Sequence, residues 1–374
     1  MDQPMGRREW FAMIALIFLV SRVAILAATA AFASHLPTSS VQQDNVLGLL
    51  CRWDCGWYMD IAQHGYSTQE NPSQPGATNF AFFPLYPSMV RLATPLFAGN
   101  VLLAAVALSN LCFFVALLYV FCYVRLLHFD HAVALLTVAL LCFLPQTFVF
   151  STGMSESTFL LLLVMAMYYL QTERYLVAGI AAALLSATRA PGIIFVLFAL
   201  TWLVRQHGWR SVLTPWTAPD RLLPLMLAPI GLFLFWGYCF MTTDDAFAQS
   251  STARHGWEWS FVPPWHNLVL LLRSGGAVTL MAIGGIFVLF CTVMLLRMRL
   301  VAEAMFCLAA LLLVISGEGA TSVFRYWIVL FPAWIVVARI IAPRPLVQAG
   351  TFLLAGLCNG LMLYAWTSKE PLGF

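Results

Sequence analysis

The segment that decides the fold is "GNVLLAAVALSNLCFFVALLYVFCYV", residues 99–124, which contains no Asp, Glu, Lys or Arg. An α-helix rises about 1.5 Å per residue, so roughly 20 apolar residues cross the ~30 Å hydrocarbon core of a bilayer. Residues 99–124 form a longer apolar segment than the roughly 20 residues needed. It therefore predicts a membrane-spanning helix.

Similar apolar segments recur along the chain. Of its 374 residues, 61% are hydrophobic and 9% are charged, with a mean hydropathy of +0.86, whereas about 25% of residues are charged in a soluble domain. We predict an all-α polytopic membrane protein with about eleven spanning helices. They are expected at 10–33, 99–124, 131–150, 156–172, 175–188, 191–205, 222–242, 277–296, 301–316, 326–341 and 346–366. The pair 175–188 and 191–205 is short, and a re-entrant hairpin is an alternative there.

Residues 1–374 are expected to form one membrane domain with two long polar segments, 34–99 and 242–276. An N-terminus in the cytoplasm leaves more Arg and Lys inside than outside, so both segments are expected on the outer face. The protein is then a multi-pass membrane protein, of the plasma (inner) membrane if its source is bacterial. The net charge of +3 gives no reason to expect nucleic acid as a partner.

The first polar segment contains "LLCRWDCGWYMDIAQHGY", Leu49–Tyr66, where scarce charged and aromatic residues are concentrated. At about 100° per residue, a helix here has two stripes of mixed aromatic and polar residues. They are Trp53, Trp57, Asp60 and His64 on one side, and Asp54, Tyr58, Ile61 and Gly65 on the other. Since Asp54 and Asp60 fall on different stripes, we expect one carboxylate, not a pair, to perform the chemistry.

Two spacings in this segment suggest other kinds of site. His64 follows Asp60 by four residues, but two ligands are too few for a metal site, so no metal and no cofactor are expected. Cys51 and Cys55 are also four apart. Two free thiols are the favoured interpretation, and a disulfide is the alternative in an oxidising compartment.

A second dense motif is "NFAFFPLYPSMVR", Asn79–Arg91. Pro84 and Pro87 are expected to break any helix there. The aromatic residues are expected to form a wall against the membrane, or an ordinary interfacial belt. They are Phe80, Phe82, Phe83 and Tyr86.

"RWDCGWYMDIAQHGY" followed by "AFFPLYPSMVR" resembles the signature of the GPI mannosyltransferase 2 family (phosphatidylinositol-glycan class V) and its bacterial relatives. Further blocks resemble the family in the same order. They are "STGMSES" (Ser151–Ser157), "SATRAPG" (Ser186–Gly192), "FAQSSTARHGWEWSFVPPW" (Phe247–Trp265) and "FRYWIVLFPAW" (Phe324–Trp334). The third block contains Gln249 and Trp257, which the resemblance adds to the site.

The resemblance implies a GT-C membrane glycosyltransferase. Such enzymes take a sugar from a polyprenyl-phosphate carrier, in this family dolichyl-phosphate mannose, and invert the anomeric centre at the non-cytoplasmic face. The general base of the family maps onto Asp54, and the acceptor is a lipid or glycolipid hydroxyl. Since bacteria do not make GPI anchors, a bacterial chain would need a different acceptor. We expect a monomer in contact with membrane lipids.

The chemistry needs a carboxylate that takes a proton from the acceptor and positive charge that stabilises the leaving phosphate. For the phosphate, Arg325 is our first choice and Arg189 our second, because a guanidinium fork matches phosphate oxygens. The alternative for either is a snorkelling Arg or an ion pair with Glu156 or Glu318.

Glu156 has three interpretations. It would bind sugar hydroxyls, anchor the first loop through Arg52, or cap its helix together with Ser155, and capping is favoured. The full set of expected substrate-binding residues is Arg52, Trp53, Trp57, Tyr58, Asp60, His64, Phe83, Tyr86, Glu156, Arg189, Gln249, Trp257 and Arg325.

Two other functions compete with transfer. A polyprenyl-lipid flippase or secondary transporter also uses intramembrane Arg and broken helices, but its polar residues should concentrate at mid-membrane. An inactive scaffolding subunit is disfavoured by the intact surroundings of Asp54.

Overall fold

The computed structural model describes residues 6–34, 46–265, 267, 269, 277–317 and 323–368. Glu318, one candidate partner of the two Arg, lies outside these residues. The α-helices are α1 (Arg7–Ala33), α2 (Val46–Leu50), α3 (Cys55–His64), α4 (Leu85–Ala93), α5 (Val101–Leu126), α6 (His131–Phe143), α7 (Glu156–Gln171), α8 (Tyr175–Ser186), α9 (Phe195–His207), α10 (Arg210–Leu213), α11 (Leu223–Leu227), α12 (Ile230–Thr243), α13 (Ala248–Trp257), α14 (Ala277–Arg297), α15 (Val301–Ile315), α16 (Val323–Ile328), α17 (Phe331–Ile341) and α18 (Pro345–Thr367).

Every predicted apolar segment contains a helix, and the all-α prediction is confirmed. Within the described ranges, four helical stretches are long and apolar enough to cross a membrane, and the pair Pro219–Leu227 and Ile230–Thr243, bent by 42°, would make a fifth. Along α1 and α18 many large apolar side chains are exposed, such as Leu16 and Leu361. These faces suit contact with lipid tails.

Prolines explain where predicted helices are interrupted. The segment 131–150 forms α6 and then a 3₁₀ helix, because Leu144 precedes Pro145 and adopts an extended backbone (ψ 159°). Pro191 lies at the start of a 3₁₀ helix that leads into α9. Pro229 likewise separates α11 from α12.

The interior is built around α5 and α7, which pack against each other. Helix α7 also packs against α8. Helix α15 packs against both α9 and α14. Most of α7 is buried, including its first residue Glu156. The N-terminal end of α7 is therefore an enclosed polar position within an apolar bundle.

The motif Asn79–Arg91 folds differently from the prediction, since α4 forms over Leu85–Ala93. Pro84 is its N-cap residue and Pro87 lies in its first turn. The first four N–H groups of a helix have no acceptor within the helix, so proline is tolerated there. The expectation that both prolines break the helix was wrong.

The aromatic side chains of this motif do not form a wall towards the membrane. Phe80, Phe82, Phe83 and Tyr86 are all buried, with at most 9% of each residue exposed. The Tyr86 hydroxyl lies 2.8 Å from Ser109 Oγ and donates to Ala105 O at 3.2 Å. The motif is thus packed inside the protein, where it fixes α4 against α5.

Gly231 on α12 tests the close packing of α12 against α8. A Cβ at Gly231 would lie 2.1 Å from Ala183 O, whereas a Cβ at Gly237 on the same helix meets nothing within 4 Å. We expect Gly231→Ala to destabilise the protein by about 1–3 kcal/mol through overpacking. Gly237→Ala is the matched control and should be neutral or slightly stabilising. Thermal unfolding of both variants in one detergent measures this, and equal melting temperatures would contradict the packing described.

Candidate active site

The first polar segment is not one continuous helix from Arg52 to Tyr66. Trp53 adopts a left-handed backbone (φ +54°), and α3 begins only at Cys55. Asp54 is the N-cap residue of α3, yet its side chain makes no capping hydrogen bond. Its carboxylate instead reaches a residue distant in sequence.

Cys51 and Cys55 form a disulfide, with their Cα atoms 5.2 Å apart. The favoured interpretation of two free thiols was therefore wrong. This separation lies in the usual range for a disulfide, and Trp53 between the two cysteines has a left-handed backbone. Gly153 leaves room for the bridge, since a Cβ there would lie 2.7 Å from Cys55 Sγ.

Four charged side chains alternate in sign and form what we call the charge network: Asp54, Arg325, Glu156 and Arg189. Asp54 Oδ2 lies 2.8 Å from Arg325 Nη2, and Arg325 Nη1 lies 3.7 Å from Glu156 Oε1. Glu156 Oε1 also pairs with Arg189 Nη1. The network joins the start of α3, the start of α7, the α8–α9 connection and α16.

Side-chain exposure falls from Asp54 to Glu156 and rises again to 14% at Arg189. The exposed fraction of the side chain is 24% for Asp54, 5% for Arg325 and 1% for Glu156. Buried charges are tolerated when they are paired, and removing one partner of a buried pair costs about 3–5 kcal/mol. Glu156 Oε2 is buried and has no hydrogen-bond partner among the residues described.

Arg189 and Arg325 both form ion pairs with Glu156, which is one of the alternatives expected for them from the sequence. Glu156 links to the first loop through Arg325 and Asp54. The favoured capping interpretation is not supported, because Ser155 makes no side-chain cap and its Oγ lies 2.9 Å from the Tyr58 hydroxyl. Burial raises the pKa of the Tyr58 phenol well above its ordinary value, so the phenol stays protonated.

A small apolar cavity of about 20 Å³ begins at the Arg189 end of the charge network. Arg189 lies over the ring of Tyr326, with 4.6 Å between Cζ and the ring centroid. Sequence reasoning did not single out Tyr326, and its place directly after Arg325 was the available signal. From these two side chains the pocket continues between apolar residues of the bundle, which include Phe159, Ile194, Phe306 and Leu330.

Aromatic rings connect the two polar segments beside the charge network. Trp57 stacks on Phe82 at 5.8 Å, and Trp257 of α13 lies 5.6 Å from each of these rings. Tyr58 packs edge-on against Phe82 and Tyr86. These five residues form the aromatic cluster, which brings the predicted Trp257 next to the first polar segment.

The other predicted residues of the first segment are not part of the charge network. Asp60 accepts from Asn79 Nδ2 at 2.8 Å and lies 3.0 Å from His64 Nδ1, and the His64 side chain is 71% exposed. Arg52 is buried, and Trp53 is 41% exposed. Asp60 therefore orients the Asn79 side chain, which in turn hydrogen-bonds Gly65 O and Ser67 N.

Two predicted residues lie in other surroundings. Phe83 packs against Phe235 of α12, 4.9 Å between ring centroids, in a separate apolar cluster. Gln249 is a half-buried residue of α13, and its Oε1 accepts from Ser250 Oγ at 3.2 Å. Over the described ranges, no three His, Cys, Asp or Glu residues come close enough together to hold a metal ion.

The sequence model of the mannosyltransferase (PIG-V) family matches residues 12–248 of this chain. GPI alpha-1,6-mannosyltransferase 2 of Mus musculus is 31% identical over 224 residues, 54% of this chain and 43% of the mouse protein. The Rattus norvegicus protein of the same name is 30% identical over 261 residues, 61% of this chain and 50% of that protein. The chain spans about half the length of these curated relatives. It belongs to the PIG-V mannosyltransferase family.

A solved structure shares the fold. The crystal structure of ArnT from Cupriavidus metallidurans bound to undecaprenyl phosphate has a TM-score of 0.57 and 11% sequence identity, covering 96% of this chain and 76% of that one. The fold is that of the GT-C membrane glycosyltransferases. The fold class implied by the sequence motifs is thereby confirmed.

Alkylation tests the disulfide beside Asp54. In protein purified without reductant and unfolded in SDS, we expect iodoacetamide to modify the seven free cysteines. After reduction it should modify all nine cysteines of the chain. Cys358→Ser, at a free cysteine, should lower both counts by one and keep their difference. Nine modified cysteines before reduction, measured by mass spectrometry, would contradict the bridge.

Proposed function

We propose that this member of the PIG-V family transfers a mannosyl residue from a polyprenyl-phosphate carrier to a hydroxyl of a lipid or glycolipid acceptor. Transfer inverts the anomeric centre, and Asp54 is the general base. The observation that carries the proposal is the charge network, which has a partly exposed carboxylate at one end and two guanidinium groups behind it.

The reaction breaks the bond between the anomeric carbon and the carrier phosphate, and forms a bond from that carbon to the acceptor oxygen. The acceptor proton moves to the Asp54 carboxylate as the new bond forms. A positioned base of this kind contributes about 10²–10⁴-fold to the rate. Since the Asp54 side chain is 24% exposed, an acceptor hydroxyl can approach it from outside the bundle.

Arg325 and Arg189 supply the positive charge for the departing phosphate. Guanidinium groups form two parallel hydrogen bonds to phosphate oxygens and stay charged when buried. Both groups are held by Glu156, so their positions are set before the donor binds. Charge that is fixed in advance stabilises a developing anion without reorganisation during the reaction.

The carrier's hydrocarbon chain would meet the apolar side chains next to Arg189 and Tyr326, which must move apart to admit it because the cavity there is only about 20 Å³. These side chains supply the apolar surface that an isoprenoid chain needs beside the phosphate site. ArnT, which shares the fold, was crystallised with undecaprenyl phosphate. The likeness in fold makes a polyprenyl carrier a reasonable donor for this chain as well.

In the membrane, the N-terminus lies in the cytoplasm and the two long polar segments face the outside. The excess of Arg and Lys on the cytoplasmic side supports this orientation. Asp54 and the aromatic cluster then lie at the outer interface, where aromatic side chains are favoured. In a bacterium this is the periplasmic face of the inner membrane.

Asp54→Asn tests the base. Asn keeps the size of the side chain and a hydrogen-bond acceptor for Arg325, but it cannot take the acceptor proton. We expect transfer of radiolabelled mannose from polyprenyl-phosphate mannose to a host lipid extract to fall by at least about 10²-fold. Asp220→Asn, at an exposed acid distant in sequence from the charge network, is the control and should be fully active. Transfer by Asp54→Asn at more than a tenth of the control rate would overturn the assignment.

Arg325→Ala tests the phosphate site. A hydrogen bond to a charged group is worth about 1.5–3 kcal/mol, so we expect donor affinity to fall by about 10–100-fold. Arg325→Lys should lose less donor affinity than Arg325→Ala, since lysine keeps the positive charge but cannot form two parallel hydrogen bonds to phosphate. The exposed Arg91→Ala is the control, and binding of radiolabelled donor is the measurement. Unchanged affinity in both Arg325 variants would exclude Arg325 and shift the phosphate site to Arg189.

A further inference from the structure

A cleft with both polar and apolar walls lies between the first polar segment and α13. Its cavity volume is about 460 Å³, within the range of about 300–1,000 Å³ that is usual for small-molecule sites. Thr68, Glu70 and Thr78 line one wall, and Asp245, Thr252 and His255 line the other. The buried ring of Phe80 forms part of its lining.

The walls of the cleft are fixed against each other. Gln74 Nε2 donates to Gly256 O at 2.6 Å, and the hydroxyls of Thr78 and Thr252 are 3.0 Å apart. Gly76 has φ +78°, and a Cβ there would lie 3.0 Å from His255 Cβ. The two segments therefore approach as closely as glycine allows, and the cleft exists before any ligand binds.

The chemistry of the lining selects among ligands. It contains hydroxyls of Thr and Ser, two carboxylates and one imidazole, but no Lys or Arg. A phosphate group would meet Glu70 and Asp245 with no Lys or Arg in the lining, and a hydrocarbon chain would cover the Glu70 carboxylate and the His255 imidazole. Within the described residues, the His, Asp and Glu groups do not converge on a metal position. An uncharged ligand with many hydroxyls satisfies this lining best.

Several of these groups retain hydrogen-bonding capacity. Glu70 Oε2 accepts from Gly76 N at 2.9 Å, but Oε1 makes no hydrogen bond to the part of the chain that is described. His255 uses Nδ1 towards Ser251 O at 2.7 Å, and the residue is exposed. Carboxylate oxygens and imidazole nitrogens are strong partners for sugar hydroxyls.

We propose that this cleft binds the carbohydrate or polyol part of the acceptor, an uncharged group with several hydroxyls. The proposal rests on the proposed function and names the acceptor's chemistry. Trp257 ends the helix that forms one wall and contacts Trp57 of α3, the helix that begins directly after Asp54. A group held in the cleft would thus lie beside the segment that carries Asp54.

Binding tests the cleft without any turnover. Full-length protein in phosphatidylcholine nanodiscs is probed by saturation-transfer NMR with methyl α-mannoside and myo-inositol. We expect signals from both probes that inorganic phosphate at equal concentration does not reduce. Thr68→Trp fills the cleft from an exposed position and should abolish the signals, and Glu70→Gln should weaken them by a few-fold. Glu173→Gln, an exposed acid that does not line the cleft, is the matched control.

Transfer assays test whether the cleft serves the acceptor. In Thr68→Trp, the amount of host lipid extract that gives half-maximal transfer should rise at least about fivefold, while the half-saturating donor concentration stays unchanged. A rise in the donor value alone, or no change in the extract value, overturns the proposal. So does loss of the NMR signals on adding phosphate, or their persistence in Thr68→Trp.

The two proposals fail in different ways. If Thr68→Trp abolishes the polyol signals and the native chain transfers no mannose, the proposed transferase function is refuted and the polyol site stands. Transfer that Asp54→Asn abolishes and Thr68→Trp leaves unaltered would retain the transferase and refute the acceptor cleft.

Discussion

The ion pair between Asp54 and Arg325 is the interaction on which the rest of the structure depends. It joins two residues that are 271 positions apart in the chain. Behind it Glu156 is almost completely buried, and such a charge is tolerated only with cationic partners. The chain must therefore bring α16 and the α8–α9 connection to the start of α7, and this requirement fixes both the fold of the bundle and the layout of the site.

The segment around Asp54 is held from two sides, which explains its unusual composition. The disulfide closes the chain around Asp54, and Gly153 lets that bridge pack against the segment leading to α7. On the outer side, Trp57 and Trp257 join α3 to α13. A carboxylate fixed in this way needs little reordering before reaction, and such positioning accounts for much of the catalytic power of enzymes.

Much of the fold was predictable from the sequence, because a membrane helix needs a long apolar segment and little else. Prolines then moved the helix ends away from the predicted positions. Pro87 was wrongly predicted to break a helix, because a proline is tolerated in the first turn and the sequence does not show where α4 begins. The same limit applied to Cys51 and Cys55, because a spacing of four residues is compatible with a disulfide and with two free thiols. The start of α4 and the pairing of Cys51 with Cys55 depend on local backbone conformation, which cannot be read from composition.

For the site, scarcity was the useful signal. Charged residues are few in this chain, so Asp54, Glu156, Arg189 and Arg325 stood out individually. Their pairing did not, since periodicity relates residues within one helix and says nothing about contacts between distant helices. The sequence left open whether each Arg binds phosphate or a carboxylate. The structure shows that both contact Glu156.

In the proposed reaction, alternation of charge along the network keeps the total charge of a buried site nearly constant. The network carries two positive and two negative side chains, and the donor's phosphodiester adds one negative charge. When the sugar leaves, the carrier phosphate goes from one negative charge towards two, while Asp54 is neutralised by the acceptor proton. Arg325 contacts Asp54 directly, so it loses an anionic partner at the base as an anion develops at the leaving group. Its positive charge, held in place by Glu156, is then balanced by the departing phosphate instead of Asp54, and this couples deprotonation of the acceptor to departure of the phosphate.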